Sequence, residues 1–395
     1  MPRDLPLDQQ RIKRHNRRLI LEAVRREGSL SRAELARAVG LTKSTVSALT
    51  QELLEERLLS EGTLRTPGLG RPGLTLELHS EGALALGIEL GVERTTVILL
   101  DLASQPQGRW EWPEKPETPL PERLVRLAER VGREVEGLGQ PLGAGLTVPG
   151  VIREDRTLVY APNFGLGWRE ERPADDLEAL LGMPVVLEND AKASALGETF
   201  WGENHSPLLY IVLATGLGTG LVVNGQVYRG RIGAAGELGH WLLGAQRQPN
   251  GTSVVEGEVS LRASVLRYQA QGGRVEGFRE LMEQAQSGDA LAQQTLEHLA
   301  RQLGHFVANA AVAFDPAVVV LGGLGAEAWP WLEAPLRERL SEVAYVPEHA
   351  AMPIRPSAFG HLAPAMGAAA LVLQRFLASG GVREEGRPNP SRAPG

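Results

Sequence analysis

The sequence predicts a small helical unit with a β-hairpin, followed by a larger body in which strands and helices alternate. The chain has 395 residues, 43% hydrophobic and 23% charged, so it is too long for one core and too apolar to be disordered. The spacing of apolar residues changes near His79. The charge changes there too: residues 1–72 hold 14 of the 41 basic side chains but 9 of the 48 acidic ones.

Composition excludes several kinds of site. The chain has no cysteine, which rules out disulfides, thiol nucleophiles and thiolate zinc ligands, so a metal would need His, Asp or Glu. The first 18 residues lack the apolar core of a signal peptide. No window is expected to be long and apolar enough to cross a membrane. We therefore expect a cytoplasmic protein.

The basic end is predicted to form three short helices. The first runs from about Arg11 and stops at Gly28. The second opens with Ser31, and Glu34 three residues later completes a capping box. It ends at Gly40, and a third helix begins at Leu41-Thr42 after a tight turn. This is the pattern of a helix-turn-helix.

The outer face of the third helix is polar and almost free of acid until Glu52. Such a face can enter a DNA major groove without repelling phosphate. Two strands follow, and the segment Arg65–Gly73 between them has the glycine-rich, cationic character of a DNA wing. The alternative is a small helical cap with a solvated polar face. The predicted DNA contacts are Lys43, Ser44, Thr45, Ser47, Thr50 and Arg71.

Basic residues of the first helix could contact the DNA backbone or form a solvated face; they are Arg11, Lys13, Arg14, Arg17 and Arg18.

Beyond His79 the sequence predicts two α/β units. Apolar runs predict strands in the first at 85–90, 95–101, 144–148 and 184–187, and in the second at 208–214 and 317–321. The glycine loop Thr215–Gly220 is followed by a strand, so it is not a dinucleotide-binding fingerprint. It either brings amides close to a phosphate or is a hairpin that needs positive φ angles.

Several acids lie beside glycine turns and form a candidate polar pocket, because buried acids are rare unless they are paired. The candidates are Glu188, Asp190, Glu237, His240 and Glu256. Taken singly, His240 is typical of a hydrogen-bonded core histidine, and Glu256 of a carboxylate at the start of a helix.

In this order the motifs resemble the ROK family of repressors and sugar kinases, in particular its repressor branch. They are Val148-Pro149-Gly150, Ala161–Phe164 with Gly167-Trp168, Glu188–Ala191 with Gly197-Glu198, Thr215–Gly220 and Gly236–His240. The resemblance implies a winged helix-turn-helix fused to a two-lobed, actin-like (ribonuclease H-like) sugar-kinase fold with sugar in the interlobe cleft. We expect a winged helix-turn-helix over 1–78, lobes over 79–200 and 201–359, a helix over 360–378 that packs back on the first lobe, and a disordered tail over 380–395.

The resemblance also implies which residues contact sugar: Asn163, Asn189, Asp190, Glu237, His240 and Glu256. Amides and carboxylates suit vicinal hydroxyl groups. In the family's kinases the counterpart of Asp190 is the general base. Those kinases begin with Asp-x-Gly-Gly-Thr, whereas this chain has Glu89-Leu90-Gly91-Val92-Glu93. Valine blocks close approach to phosphate and Glu93 repels it, so we expect neither ATP binding nor enzyme activity.

The family's zinc ligands are one His and three Cys in the loop after the Gly-His pair. Here the cysteine positions are occupied by Arg247, Pro249 and Val254, so a tetrahedral site is not expected. We expect no metal and no other cofactor. Nearby polar residues could supply hydrogen bonds instead; they are Gln246, Gln248 and Asn250.

The resulting hypothesis is a sugar-responsive transcriptional regulator that represses carbohydrate-utilisation genes. It would act as a homodimer, or a tetramer, on a near-palindromic operator in double-stranded DNA. A monosaccharide effector would change lobe closure and release the DNA. Two alternatives stay open: an active ATP-dependent sugar kinase with a regulatory DNA-binding domain, and a DNA-binding regulator whose sugar pocket is vestigial.

Overall fold

The computed structural model describes residues 9–65, 73–161, 164, 168–202, 205–243 and 254–383. It confirms the predicted fold class, a winged helix-turn-helix followed by an α/β body. The N-terminal elements are α1 (Gln9–Glu27), β1 (Leu30–Ser31), α2 (Arg32–Val39), α3 (Lys43–Glu55), β2 (Leu59–Arg65) and β3 (Gly73–Leu78). The three strands form one sheet in the order β1-β3-β2.

Local signals fix the ends of these helices. Ser31 and Glu34 form the predicted capping box at the start of α2, which satisfies two amides that the helix leaves without partners. Gly40 ends α2 with a φ of 67°, in the left-handed region that glycine adopts readily. The Thr42 hydroxyl then accepts a hydrogen bond from the Thr45 amide and caps α3. The turn between α2 and α3 is therefore defined by Gly40 and Thr42.

The body begins with eleven elements. They are β4 (Leu84–Leu90), β5 (Arg94–Asp101), β6 (Pro106–Pro113), α4 (Leu120–Glu134), β7 (Ala144–Val148), β8 (Val151–Ile152), β9 (Leu158–Ala161), β10 (Trp168–Glu171), α5 (Pro173–Leu181), β11 (Val185–Asn189) and α6 (Asp190–Trp201). Five strands form a sheet in the order β11-β7-β4-β5-β6, and a smaller sheet has the order β10-β9-β8.

The rest of the body is built around a second five-stranded sheet. Its elements are β12 (Leu208–Leu213), β13 (Leu217–Val223), β14 (Gln226–Val227), α7 (Glu256–Val259), α8 (Leu261–Ala270), α9 (Phe278–Gln286), α10 (Ala290–Phe314), β15 (Val318–Gly323), α11 (Leu324–Glu327), α12 (Trp329–Val343), α13 (Pro347–Ala350), β16 (Ile354–Pro356) and α14 (Ala363–Ala378). The order is β14-β13-β12-β15-β16. β12 pairs with β13 antiparallel and with β15 parallel, and α10 and α12 supply much of the core.

Contacts divide the chain into two compact units. The first comprises residues 1–146, 163–187 and 368–395, and the second comprises 147–162 and 188–367. The sequence had grouped residues 79–200 in one lobe, whereas α6 belongs with the second unit. The reason is that α6 packs against β12 and β13. The other predicted domain boundaries stay predictions.

The segment Thr215–Gly220 differs from the predicted loop, because β13 already begins at Leu217. One of its glycines, Gly220, is required for close packing. A Cβ atom at Gly220 would lie 2.4 Å from the Ala191 carbonyl oxygen and 2.8 Å from the Lys192 Cα. Glycine is therefore required where β13 passes the first turn of α6.

Within the described residues, one helical stretch, Gly360–Ala378, has the length and apolar composition that could cross a membrane. This corrects the expectation that no segment would qualify. Its most apolar window is 67% buried inside the protein, as expected for a core helix of this composition.

Candidate functional site

The helix α3 presents the polar surface that the sequence predicted. Lys43, Ser44 and Ser47 are exposed, and Thr45 is half-buried. Thr50 differs from the prediction, because it is fully buried and its hydroxyl donates to the Ser47 carbonyl oxygen. Its position follows from the helical period, which turns residue 50 toward the interior with its neighbour Leu49. Arg71 lies outside the described residues.

The basic face of α1 is partly committed to contacts within the protein. Arg17, one of the predicted backbone contacts, is 5% exposed. Its guanidinium binds the Glu56 carboxylate at the end of α3 and donates to the Gly380 carbonyl oxygen at 2.8 Å. Lys13 pairs with Glu52 at 2.8 Å. Arg17 is therefore a buried connection between α1, α3 and the residues after α14, not a ligand for DNA.

Four acidic side chains belong to the second unit, and the charges of two of them, Asp190 and Glu237, interact. We call the four together the carboxylate cluster; its members are Glu188, Asp190, Glu237 and Glu256. The sequence singled out all four. Asn163, which the family resemblance added, lies outside the described residues. A cluster of like charges requires compensating cations or protonation, so the partners of each member decide what the site can bind.

Asn189 is occupied as a helix cap. Its side-chain oxygen accepts from the Lys192 amide at 3.0 Å, and its side-chain nitrogen donates to the Gly150 carbonyl oxygen at 3.1 Å. The residue is 7% exposed. These bonds account for its place in the motif by the start of α6, and its role as a sugar contact stays a prediction.

Asp190 is the member of the cluster with a strongly perturbed acidity. Desolvation by the surrounding protein raises the pKa of its carboxyl group to about 6, and the negative charge of Glu237 adds to the rise. A hydrogen bond from the Ala191 amide and the positive charge of Lys192 act in the opposite direction. The carboxyl group therefore titrates close to neutral pH.

Two cations that sequence reasoning did not single out compensate the cluster. The Lys192 ammonium lies 3.4 Å from a carboxylate oxygen of Glu237. The Arg229 Nε donates to Glu188 at 2.6 Å, and Glu188 is almost fully buried. These partners are 45 and 41 residues apart in the chain. No local sequence signal predicts such pairs.

Glu256 is placed by the glycine turn that precedes β13. Its carboxylate accepts a hydrogen bond from the Leu217 amide at 2.9 Å. A Cβ atom at Gly216 would lie 2.4 Å from that carboxylate, so a larger residue there would displace the Glu256 side chain. The sequence suggested a carboxylate at the start of a helix, and Glu256 is indeed the first residue of α7.

His240 is exposed and follows Glu237 in a short 3₁₀ turn, Leu238–His240. Of the positions where the family has zinc-binding cysteines, Val254 is buried and apolar, and Arg247 and Pro249 lie outside the described residues. Where the structure describes the chain, no three His, Asp or Glu side chains are grouped so that they could hold a metal ion. Val254 cannot donate to a metal, so the donor set of the family does not fit here.

The turn after β4 occupies the position of the phosphate-binding motif of the family's kinases. A Cβ atom at Gly91 would lie 2.6 Å from the Arg94 carbonyl oxygen, so the turn requires this glycine. Val92 is half-buried and Glu93 is exposed. The buried Arg123 donates to the Gly91 carbonyl oxygen at 2.5 Å and lies over the stacked rings of Phe164 and Trp168.

Comparison with known proteins supplies the family. The ROK family model matches residues 85–375, and a winged helix-turn-helix DNA-binding model matches residues 13–59. The chain belongs to the ROK family. It is 28% identical to the xylose repressor of Bacillus subtilis over 94% of this chain and 98% of that protein.

Two solved structures of the family align with the chain over different lengths. A ROK family transcriptional regulator, described as a homologue of the Escherichia coli Mlc protein, aligns with a TM-score of 0.78 and 23% identity over 94% of this chain and 98% of its own. A ROK family glucokinase from Streptomyces griseus, solved with glucose and AMPPNP, has a TM-score of 0.65 and 26% identity. It covers 74% of this chain and all of its own. The alignment with this regulator extends over nearly the whole chain, whereas the alignment with this glucokinase covers about three quarters of it.

Proposed function

We propose that this ROK protein is a sugar-responsive transcriptional repressor of carbohydrate-utilisation genes. The observation that carries the proposal is the presence, in one chain, of an exposed face on α3 that is free of acid up to Glu52 and of the carboxylate cluster. Relatives that match along almost the full length include a protein named xylose repressor. The protein would act in the cytoplasm, where the operator is.

DNA recognition in this proposal depends on the first turns of α3. Lys43, Ser44 and Ser47 are exposed there, and short polar side chains can approach base edges while a lysine neutralises phosphate. A homodimer would place two such helices in successive major grooves of a near-palindromic site.

The effector in this proposal is an uncharged monosaccharide. The carboxylate cluster has four acids, and two cations lie in contact with it in the described structure, Lys192 and Arg229. Both are already paired with carboxylates. A neutral sugar can donate hydroxyl protons to the remaining carboxylate oxygens, whereas a phosphorylated sugar would bring a dianion beside Asp190 and Glu237.

The proposal excludes phosphoryl transfer. Val92 and Glu93 follow Gly91 where the family's kinases have small residues, and Arg123 binds the carbonyl oxygen of that turn. We also propose that the protein uses no zinc, because the cysteine ligands are missing. An assay of ADP release with D-glucose and D-xylose would then show no turnover above background. Sugar-dependent ADP formation would favour the kinase alternative.

Fluorescence anisotropy with a labelled promoter duplex tests the main proposal. We expect tight binding at moderate salt, and loss of binding as D-xylose, D-glucose or N-acetylglucosamine is added. The 6-phosphates of glucose and N-acetylglucosamine serve as matched controls and should have no effect. Operator affinity that is the same with every sugar would contradict the proposal and favour a vestigial pocket.

A further inference from the structure

A buried lysine lies inside the carboxylate cluster. Lys192 is 1% exposed, and its ammonium nitrogen lies 2.6 Å from the Gly233 carbonyl oxygen and 3.4 Å from Glu237. The chain has four lysines among its 41 basic residues, at positions 13, 43, 115 and 192, and the other three are exposed. A buried ammonium is costly unless it is paired and hydrogen-bonded, so this one requires an explanation.

We propose that Lys192 is a positioning residue of the effector site, which holds Glu237 in the orientation that binds sugar. The inference rests on the proposed function, because it names the residue that prepares the same site. Lys192 and Asp190 belong to the first turn of α6. One short helical segment therefore supplies both a binding carboxylate and the cation that orients a second one.

The contacts of the segment 233–238 show what Lys192 adds. Gly233 passes so close to the Ile152 carbonyl that a Cβ atom would lie 1.7 Å from its oxygen. The Thr219 hydroxyl binds the Gly236 carbonyl oxygen and the Leu238 amide. These contacts fix the backbone of the segment. Lys192 contacts both the backbone, at Gly233, and the Glu237 side chain, so it orients the carboxylate as well as the chain.

The electrostatic consequence concerns two acids. The negative charge of Glu237 disfavours ionisation of Asp190, and the positive charge of Lys192 favours it. Without the ammonium, Glu237 would be free to turn toward solvent, since its side chain is 31% exposed. Lys192 therefore keeps two repelling carboxylates available to one ligand.

This arrangement also accounts for a site that lacks the family's zinc ligands. A metal bound through His240 would order the segment from its C-terminal side. Here the ordering contacts come from α6, β13 and the residues after Gly150, through Lys192, Thr219 and Ile152. Buried hydrogen bonds and an ion pair can hold a loop without a metal.

A double-mutant cycle tests the positioning role, with D-xylose and D-glucose as probes and calorimetry as the measurement on the full chain. Lys192→Met should weaken binding of the sugar about tenfold or more, as for a hydrogen bond to a charged group. In the Glu237→Gln background the same change should cost less than about twofold, because the group it positions is already altered. Equal losses in the two backgrounds would overturn the proposal.

Control variants distinguish the positioning role of Lys192 from a folding defect and from failure of the proposed function. Lys115→Met removes an exposed lysine and should change neither sugar nor operator affinity. Lys192→Met should keep wild-type operator affinity in the absence of sugar. If Lys192→Met does not fold, Lys192→Arg, which keeps the charge on a bulkier group, takes its place in the cycle with the same expected non-additivity. Wild-type protein that binds neither sugar would contradict the proposed function itself.

Chemical labelling checks the placement of Lys192 without any sugar. Reductive dimethylation followed by peptide mass spectrometry should modify Lys43 and Lys115 at least tenfold faster than Lys192, because methylation needs an accessible amine. Operator DNA added during labelling should protect Lys43 and leave Lys115 unchanged. A Lys192 that reacts as fast as Lys115 would overturn the buried ion pair and with it the positioning role.

Discussion

The polar face of α3 and the carboxylate cluster are built by opposite means. The face of α3 consists of residues within one helix, and its surroundings are exposed and free of acid up to Glu52. The cluster collects residues from distant segments. The charge of Glu237 disfavours ionisation of Asp190, while Lys192 pairs with Glu237 and Arg229 pairs with Glu188. A DNA-reading surface therefore tolerates single changes gradually, while the cluster should fail when one member is removed.

The largest loss of sugar affinity is expected from a substitution of Asp190. Asp190→Ala removes the carboxylate that starts α6 and should weaken sugar binding by at least about 100-fold, since it leaves polar partners unmatched. Operator affinity without sugar should be unchanged. Calorimetry and anisotropy on the same preparation measure both, and loss of DNA binding with intact sugar binding would reverse our assignment of the two regions.

A smaller effect is expected on α3. Lys43→Ala should weaken operator binding about tenfold at moderate salt and lower the salt dependence by about one phosphate contact. Sugar affinity should not change. Thr50→Val is the matched control on the same helix, because Thr50 is buried, and it should alter operator affinity little. Equal losses for the two variants would argue that α3 does not face the DNA.

The N-terminal domain shows which features could be predicted from the sequence and which could not. The capping box of Ser31 and Glu34, the left-handed Gly40 and the Thr42 cap depend on neighbours within four residues, and all were predictable. Thr50 was assigned to the polar face by residue type, whereas the helical period turns it inward. Arg17 was predicted as a phosphate ligand from its charge alone. Its partner Gly380 lies 363 residues away in the chain, so no local sequence signal indicates that Arg17 is buried.

The cluster was predictable in its acids but not in its cations. Glu188, Asp190 and Glu237 lie within motifs of the ROK family, and Glu256 was predicted as a carboxylate at the start of a helix. Lys192 and Arg229 have no such mark, because their roles arise only when α6 and the segment after β14 pack together. The pairing of Lys192 with Glu237 is therefore visible only in the folded structure.

The pH dependence of sugar binding tests the role of Asp190 in the carboxylate cluster. The pKa of Asp190 is raised to about 6 by burial and by Glu237, with Lys192 opposing, and Tyr210 of β12 is the further titratable group that interacts with it. If the ionised carboxylate accepts sugar hydroxyl protons, affinity should fall about tenfold from pH 7 to pH 5. Calorimetry at several pH values measures this, and affinity that rises toward pH 5 would show that the protonated form binds.

The protein should stay folded over the pH range in which sugar affinity is measured. The pKa of Asp190 in the folded protein lies above its ordinary value of 3.8, so protonation of this group favours the folded state as the pH falls through about 6. Thermal melting at pH 5 and pH 7 checks this. A melt completed below the assay temperature at pH 5 would invalidate the binding comparison.

The smallest effect is expected from metal removal. Dialysis against EDTA should leave both sugar affinity and operator affinity within about twofold of their starting values, because zinc lacks its thiolate ligands here. Elemental analysis should find well under one zinc ion per chain. Loss of sugar response on chelation, restored by zinc, would show that another donor set binds the metal.

The central claim is that sugar occupancy and operator binding oppose each other, and linkage tests it most directly. The affinity of D-xylose or D-glucose should be measured by calorimetry for the free protein and for the protein saturated with operator duplex. Reciprocity requires the sugar to bind the complex more weakly, by the same factor by which it weakens operator binding. A sugar that binds both forms with equal affinity would contradict the account.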